Sequence, residues 1–495
     1  MRFNLAGAML AGMLLAMTVQ AEMICAFSFP KHDLPTPWPV TFGLPLAQGQ
    51  ARDAGALFLQ DAQGAALPLQ VKVNARWADG SLKWILLDSI ISAGGEYSLH
   101  HYPERGKADS SAAIAQTQAD GPLLLSTGGI RLEVPASGAL WRYWQGDDEG
   151  QADLRLLLQT ESPGPTQEEN WLVPAGADKA TREYGSAGDR ERLVLLEENG
   201  PVRATVKISG WFTAADGSRA YQYIIRLTAW QGLPQLKAQI TFVATEEVET
   251  NFLRGLELRL QRRGGSAGTG TVTRELSGDG ALSLAVYGSP RFYHLVSYRE
   301  RKAPVADISW HQGGSWQKLS SSEIIPGYFQ SGRLTAAVKD FARLFPKEFS
   351  ADAAGLSFHI WPERSGMVMD LRRRTGQRPE HHDYQNPVGG MGVAKTHDLY
   401  LAWDVDAPEK FAQAVNTVCH PVISPLYYRN TGAAGEYLLR SEEHFPRLEA
   451  TISFYFKYLH QQCREGRYEG MLDWGDIPLM PHGQRDHTGA SHPES

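Results

Sequence analysis

A run of segments with a clean two-residue hydrophobic period constrains this chain more than any other feature. Ala204, Val206 and Ile208 alternate with Thr205, Lys207 and Ser209, and Leu236, Ala238, Ile240 and Phe242 alternate with Lys237, Gln239 and Thr241. Leu256, Leu258 and Leu260 repeat the pattern around Glu257 and Arg259, and residues 221–227 mix aromatic and β-branched side chains. Successive side chains of a strand point to opposite faces, so each segment has one covered and one polar face. A succession of such strands predicts antiparallel sheets packed as a large β-sandwich, placed at 121–405. The 49 glycines and 28 prolines provide for the many turns this needs. A chain of 495 residues exceeds what one core holds, about 250–300 residues, so other domains flank the sandwich.

Upstream, 27–106 reads as a small β-barrel. Leu69, Val71 and Val73 alternate with Gln70 and Lys72, and Ala78-Asp79-Gly80-Ser81 between apolar runs predicts a hairpin. Residues 107–120 are small and polar and read as a linker. Asp147-Asp148-Glu149-Gly150 reads as an exposed acidic turn without the alternation of a calcium loop, and most of Trp77, Trp84, Trp141 and Trp144 are expected in cores. Helical spacing begins near Asp406, with Pro408 at a first turn followed by Phe411, Ala414, Val415 and Val418. A longer helix is expected from Pro446, with Leu448, Ile452, Phe456, Leu459 and Cys463 as its apolar stripe and Gly466 as its stop. The helical segment is taken as 406–495. Cys419 and Cys463 either form a disulfide or remain separate thiols.

The first 21 residues join a basic Arg2, an apolar run over 5–19 and Val19-Gln20-Ala21, the pattern of a cleaved signal peptide. The run is shorter than the roughly 20 apolar residues of a membrane span, and no later segment is long enough either. An exported protein, periplasmic or extracellular, is therefore expected. The formal charge of −7, without a long basic run, argues against nucleic acid as a partner.

Ten of the fifteen histidines lie from His359 onward. The densest cluster runs from Arg372-Arg373-Arg374 through His381-His382-Asp383-Tyr384 to Lys395-Thr396-His397. An extended segment places Lys395 and His397 on one face. The arginines form either a solvated edge or a carboxylate clamp, guanidinium being the usual bidentate partner. Glycines 389, 390 and 392 lack the Gly-Lys-Ser/Thr ending of a phosphate loop. In Leu472-Asp473-Trp474-Gly475-Asp476 an indole beside carboxylates suits sugar stacking, or else fills a helix–helix loop. No serine nucleophile elbow, zinc-protease helix or dinucleotide fingerprint is present, and no metal site or cofactor is read from the spacing.

Phe42-Gly43-Leu44-Pro45-Leu46, residues 68–73 and Ala75-Arg76-Trp77-Ala78-Asp79-Gly80-Ser81-Leu82-Lys83-Trp84 resemble the opening domain of the exo-rhamnogalacturonan lyase and YetA-like family. Glu197-Glu198-Asn199-Gly200-Pro201-Val202-Arg203-Ala204 resembles its central sandwich, as do Val338-Lys339-Asp340-Phe341, Phe345-Pro346-Lys347, Trp361-Pro362 and Gly392-Val393-Ala394-Lys395-Thr396-His397. The resemblance implies a mainly β, multidomain chain: a RIFT-like β-barrel, a β-sandwich, and an α/α toroid of which only the first helices are present. It also implies a polysaccharide lyase of family 26 type, with a rhamnogalacturonan polysaccharide or oligosaccharide as partner. β-Elimination must neutralise the uronate carboxylate, remove the C5 proton and protonate the leaving oxygen. Arg372 or Arg374 is expected in the first role, His382 or His397 as base, and Tyr384 or Lys395 as proton donor or relay, with Trp474 and Asp476 binding sugar. Two alternatives stand beside this: a non-catalytic carbohydrate-binding or scaffold protein, because the toroid is incomplete, and a glycoside hydrolase, whose carboxylate pair needs no sequence proximity.

Overall fold

The computed structural model describes residues 22–30, 37–92, 94–102, 113–117, 121–164, 172–263, 270–273, 276–278, 282–288, 306–318, 327–352, 355–372, 390–466 and 470–471. The alternating segments become strands throughout, and the fold is mainly β. In the N-terminal unit, Glu22–Phe29 pairs antiparallel with Gly95–His101, which pairs in turn with Leu57–Asp61. A second sheet sets Leu82–Ile91 between Trp38–Pro45 and Leu69–Arg76. The hairpin expected at Asp79-Gly80 forms. Gly80 takes a φ of +83°, where a Cβ is disfavoured, and Asp79 accepts from the Ser81 amide at 2.9 Å and its hydroxyl at 2.6 Å. Phe27, Phe42, Leu44, Leu59, Leu87 and Leu99 of both sheets meet in one core.

The C-terminal segment completes that core. Helix α1 (Pro408–Asn416) inserts Phe411, Ala412, Ala414 and Val415 into it, and the short strand Val422–Ile423 pairs with Glu22–Phe29. In α2 (Pro425–Thr431) the Tyr427 hydroxyl donates to the Pro45 carbonyl at 2.6 Å. Helix α3 (Pro446–Gly466) occupies the span its spacing predicts. No helix among the described residues is long and apolar enough to cross a membrane.

Between these parts lies the sandwich. Along one sheet the antiparallel order runs Thr181–Gly185, Asp148–Gln159, Phe252–Arg263, Gly355–Trp361, Lys347–Asp352, Leu282–Gly288 and Ala306–Gln312. Along the other it runs Leu193–Asn199, Arg203–Thr213, Arg219–Trp230, Gln235–Val243, Ala394–Trp403, Leu334–Val338 and Tyr328–Ser331. Leu156, Leu258 and Phe358 from the first share one core with Ile208, Tyr223, Ile240 and Leu399 from the second, and burying each such side chain contributes about 1.5–3 kcal/mol.

Packing corrects several expectations. The acidic turn is not wholly exposed: Asp148 is buried, bonded to Arg262 at 2.8 Å and to the Trp403 indole at 2.9 Å, and opens a strand. Within the expected linker, Ala115–Thr117 is a strand beside Leu123–Ser126, held by buried Ile114 and by Asn199 bonding both polar groups of the Ala115 backbone. Of the four tryptophans only Trp141 is core. Trp77 and Trp144 are half-buried and lie under Lys83 and Arg131. On α3 the predicted stripe is exposed at Leu448, Ile452, Phe456 and Leu459. Cys25 and Cys419 are free thiols, so the disulfide alternative is not realised.

Candidate functional site

The two-residue period that buries Lys347, Phe349 and Ala351 turns Glu348, Ser350 and Asp352 to the outer face of the first sheet. The same phase in the neighbouring strands presents His359, Glu257 and Arg155 there. Cross-strand register then lines up Glu348, His359, Glu257 and Arg155 as direct neighbours. His359 Nε2 lies 2.7 Å from the Ser350 hydroxyl, and its Nδ1 lies 3.3 Å from Glu257 Oε2. Glu257 also receives Arg259 at 3.1 Å and Arg155 at 3.7 Å, while Arg364, on the turn Glu363–Ser365, meets Glu348 at 2.9 Å.

Burial, and then the positive charges of Arg364, Arg259 and Arg155, hold the His359 imidazole down to about 3. The ring is therefore neutral near pH 7. With its single proton on Nδ1, facing Glu257, its Nε2 accepts the Ser350 hydroxyl proton. Two cavities that share Arg364 open over this ladder. One, of about 190 Å³, is lined by Ser283, His311, Trp316, Ser350 and Asp352; the other, of about 180 Å³, by Arg155, Glu257, Glu348 and His359. Trp316 is 43% exposed and stands against His311 with ring centroids 4.8 Å apart. Among the described residues no cluster of His, Cys, Asp or Glu is placed to hold a metal ion.

Residues singled out from the sequence fall elsewhere. Lys395 and His397 share a face of Ala394–Trp403, as the spacing requires, but that face turns between the sheets. His397 is 1% exposed, stacked on Phe242 at 6.5 Å, and neither ring nitrogen has a hydrogen-bond partner. Burial, with Lys347 and Lys395 nearby, keeps it neutral. Lys347 is fully buried and donates to the carbonyls of Leu344 at 2.6 Å and Pro346 at 3.4 Å. Arg372 is committed internally: Nε and Nη2 grip Asp370 at 3.0 and 2.7 Å, and the guanidinium also reaches Ser162 and Gly164 and lies over Phe252. Neither His397 nor Arg372 meets a polymer in this conformation. Arg374, His382, Tyr384, Trp474 and Asp476 lie outside the described residues. Spacing in the sequence does not reveal the ladder, because Glu257 and Arg155 sit on strands far in sequence from the hairpin that carries Glu348, Ser350 and His359. The available signal was chemical: a carboxylate and an imidazole at the polar phase of strongly apolar strands.

Comparison with known proteins fits the domain order. Residues 31–94 match the PcRGLX-like N-terminal RIFT barrel domain, and residues 114–263 match the PcRGLX-like protein central beta sandwich domain. The uncharacterized protein YetA of Bacillus subtilis (strain 168) is 25% identical over 518 aligned residues, covering 88% of this chain. The chain spans 57% of that relative's length. Among solved structures, an alpha-mannosidase from Enterococcus faecalis V583 aligns over 83% of this chain and 45% of its own, with a TM-score of 0.38 and 10% identity. A protein in the Glycosyl Hydrolase Family 38 from Enterococcus faecalis aligns over 83% and 46%, with a TM-score of 0.39 and 9% identity. Those two likenesses are too low to bear on fold or function. The matched stretches, 31–94 and 114–263, are similar to PcRGLX-like domains in the order that the resemblance in the sequence implied.

Proposed function

We propose that this is an exported, lyase-like carbohydrate-active protein that takes uronate-containing glycan, of the rhamnogalacturonan type, across the outer face of its sandwich. The observation that carries the reading is one cavity faced by both a half-exposed guanidinium, Arg364, and an exposed indole, Trp316. An indole offers a flat apolar surface to a sugar ring, and a guanidinium pairs with a uronate carboxylate in bidentate fashion. Paired with Arg364, the carboxylate no longer opposes charge growing at C5, which is the first requirement of β-elimination. His311 lines the same cavity wall and is a candidate base there. His382 and Tyr384 remain the candidates from sequence for moving the two protons, with Arg374, Trp474 and Asp476 as further sugar contacts. Export is supported by the leader pattern over 1–21.

Incubation with rhamnogalacturonan and with polygalacturonate, following the ultraviolet absorbance of unsaturated uronate, tests the reaction. Absorbance should rise, and Arg364→Gln and Trp316→Ala should slow it while leaving the fold intact. Glycan binding without absorbance change would make the protein a non-catalytic binder. New reducing ends without unsaturation would make it a glycoside hydrolase, and neither binding nor turnover would end the proposal.

A further inference from the structure

We propose that the ladder holds a second activity: Ser350, His359 and Glu257 form a nucleophile, base and orienting acid that hydrolyse a small acyl ester carried on a glycan. Three adjacent strands supply one member each, so the arrangement is held by sheet register rather than by a flexible loop. Glu257 is buried at 4% exposure, while His359 and Ser350 are both half-buried and Ser350 lines the wall of the 190 Å³ cavity. Nucleophile and base meet at 2.7 Å, and base and acid at 3.3 Å, within the range of a resting enzyme. The second ring nitrogen faces a carboxylate that also holds two arginines, which fixes the tautomer the base needs.

In the forward step Ser350 Oγ attacks the ester carbonyl carbon and its proton passes to His359 Nε2. The tetrahedral intermediate expels the sugar oxygen, which takes that proton from the imidazolium. The acyl group is left as an ester on Ser350. Water then attacks the acyl carbon, giving one proton to His359, and the acid departs as Ser350 recovers its hydrogen. Arg364, held at 2.6 Å to the Ser283 hydroxyl on the same cavity wall, faces the charge that develops on the carbonyl oxygen. A cavity of this size, below the roughly 300 Å³ of ordinary ligand pockets, favours a short acyl group such as acetate. The glycan part of the substrate rests on the function proposed above; the ester chemistry does not.

The test uses the full chain with 4-nitrophenyl acetate and with acetylated rhamnogalacturonan, reading 4-nitrophenol or acetate released, and phenylmethylsulfonyl fluoride as a probe followed by peptide mass analysis. Acetate release and sulfonylation at Ser350 are expected, with Ser350→Ala lowering the rate by about 100-fold or more at unchanged thermal unfolding. Glu257→Gln should lower kcat while leaving KM near its wild-type value. Trp316→Ala should slow release from the polymer by a larger factor than release from the aryl ester. Unsaturated uronate is read separately, so failure of the lyase reading leaves this result standing. Equal rates for wild type and Ser350→Ala, or labelling elsewhere, would overturn the assignment and leave the ladder a structural polar seam.

Discussion

Replacing His397 by leucine should stabilise the sandwich. The imidazole is 1% exposed and both nitrogens lack partners, so folding strips its water and returns no hydrogen bond. Leaving a buried polar group unsatisfied costs about 1–3 kcal/mol, and a leucine of similar bulk on the same strand avoids that cost while keeping contact with Phe242. A gain of about 1–2 kcal/mol at pH 7 is expected. The pH dependence sharpens the test. His397 is held neutral in the folded protein, well below its ordinary range, whereas in the unfolded chain it takes up a proton near pH 6.5. Below that pH the unfolded state of the wild type is favoured by proton binding that the folded state cannot match. The advantage of His397→Leu should therefore grow by about 1.4 kcal/mol for each unit the pH falls below that range. Urea unfolding of both proteins at pH 7, 6 and 5, followed by tryptophan fluorescence, measures this. A variant less stable at pH 7, or a gap that does not widen with acid, would refute the reasoning.

Arg372→Ala should lose about 3–5 kcal/mol, because it strands Asp370, which is 4% exposed, and a lowered thermal midpoint checks this. Gly210→Ala should cost about 2 kcal/mol or more: its new methyl overlaps the Asp189 carboxylate, which holds the Trp211 amide at 2.8 Å and the Tyr223 hydroxyl at 3.0 Å, and denaturant titration reads the loss. Acetate release should stay level from about pH 5 to 8, since the His359 base form is complete above about 3; a fall in rate below pH 6.5 would contradict its neutral state. Cys25, buried and with its thiol pushed up to about 12, should resist 5,5′-dithiobis(2-nitrobenzoate) until the protein unfolds.

Local periodicity carried most of the fold. The alternating segments at 204–208, 236–242 and 256–260 are strands in the expected phase, and the hairpin at Asp79-Gly80 and the bounds of α3 were legible from turn and stop residues. What periodicity does not carry is partner choice. The turn holding Asp148 reads as solvent-facing because nothing nearby in sequence reveals that Arg262, on the paired strand, meets it, and 107–120 reads as a linker because nothing in it reveals that Asn199 pins Ala115. The sites follow the same rule. Lys395 and His397 share a face by spacing alone, yet which side of the sheet is covered depends on Phe242 and Lys347, far apart in the chain. Ser350, His359 and Glu257 become neighbours only once register is set, so a reading confined to sequence neighbours passes over them.

The pairing of Val422–Ile423 with Glu22–Phe29, and the apolar face of α1 in the barrel core, also fix an order of assembly. The barrel, made before the sandwich, is finished only by residues made almost four hundred positions later. The sandwich is complete once its strand Ala394–Trp403 has been made, before α1 and Val422–Ile423 are available to the barrel. The barrel is then the later of the two to become protease-resistant, and a chain interrupted just before α1 should carry a folded sandwich behind an open, sticky N-terminal barrel.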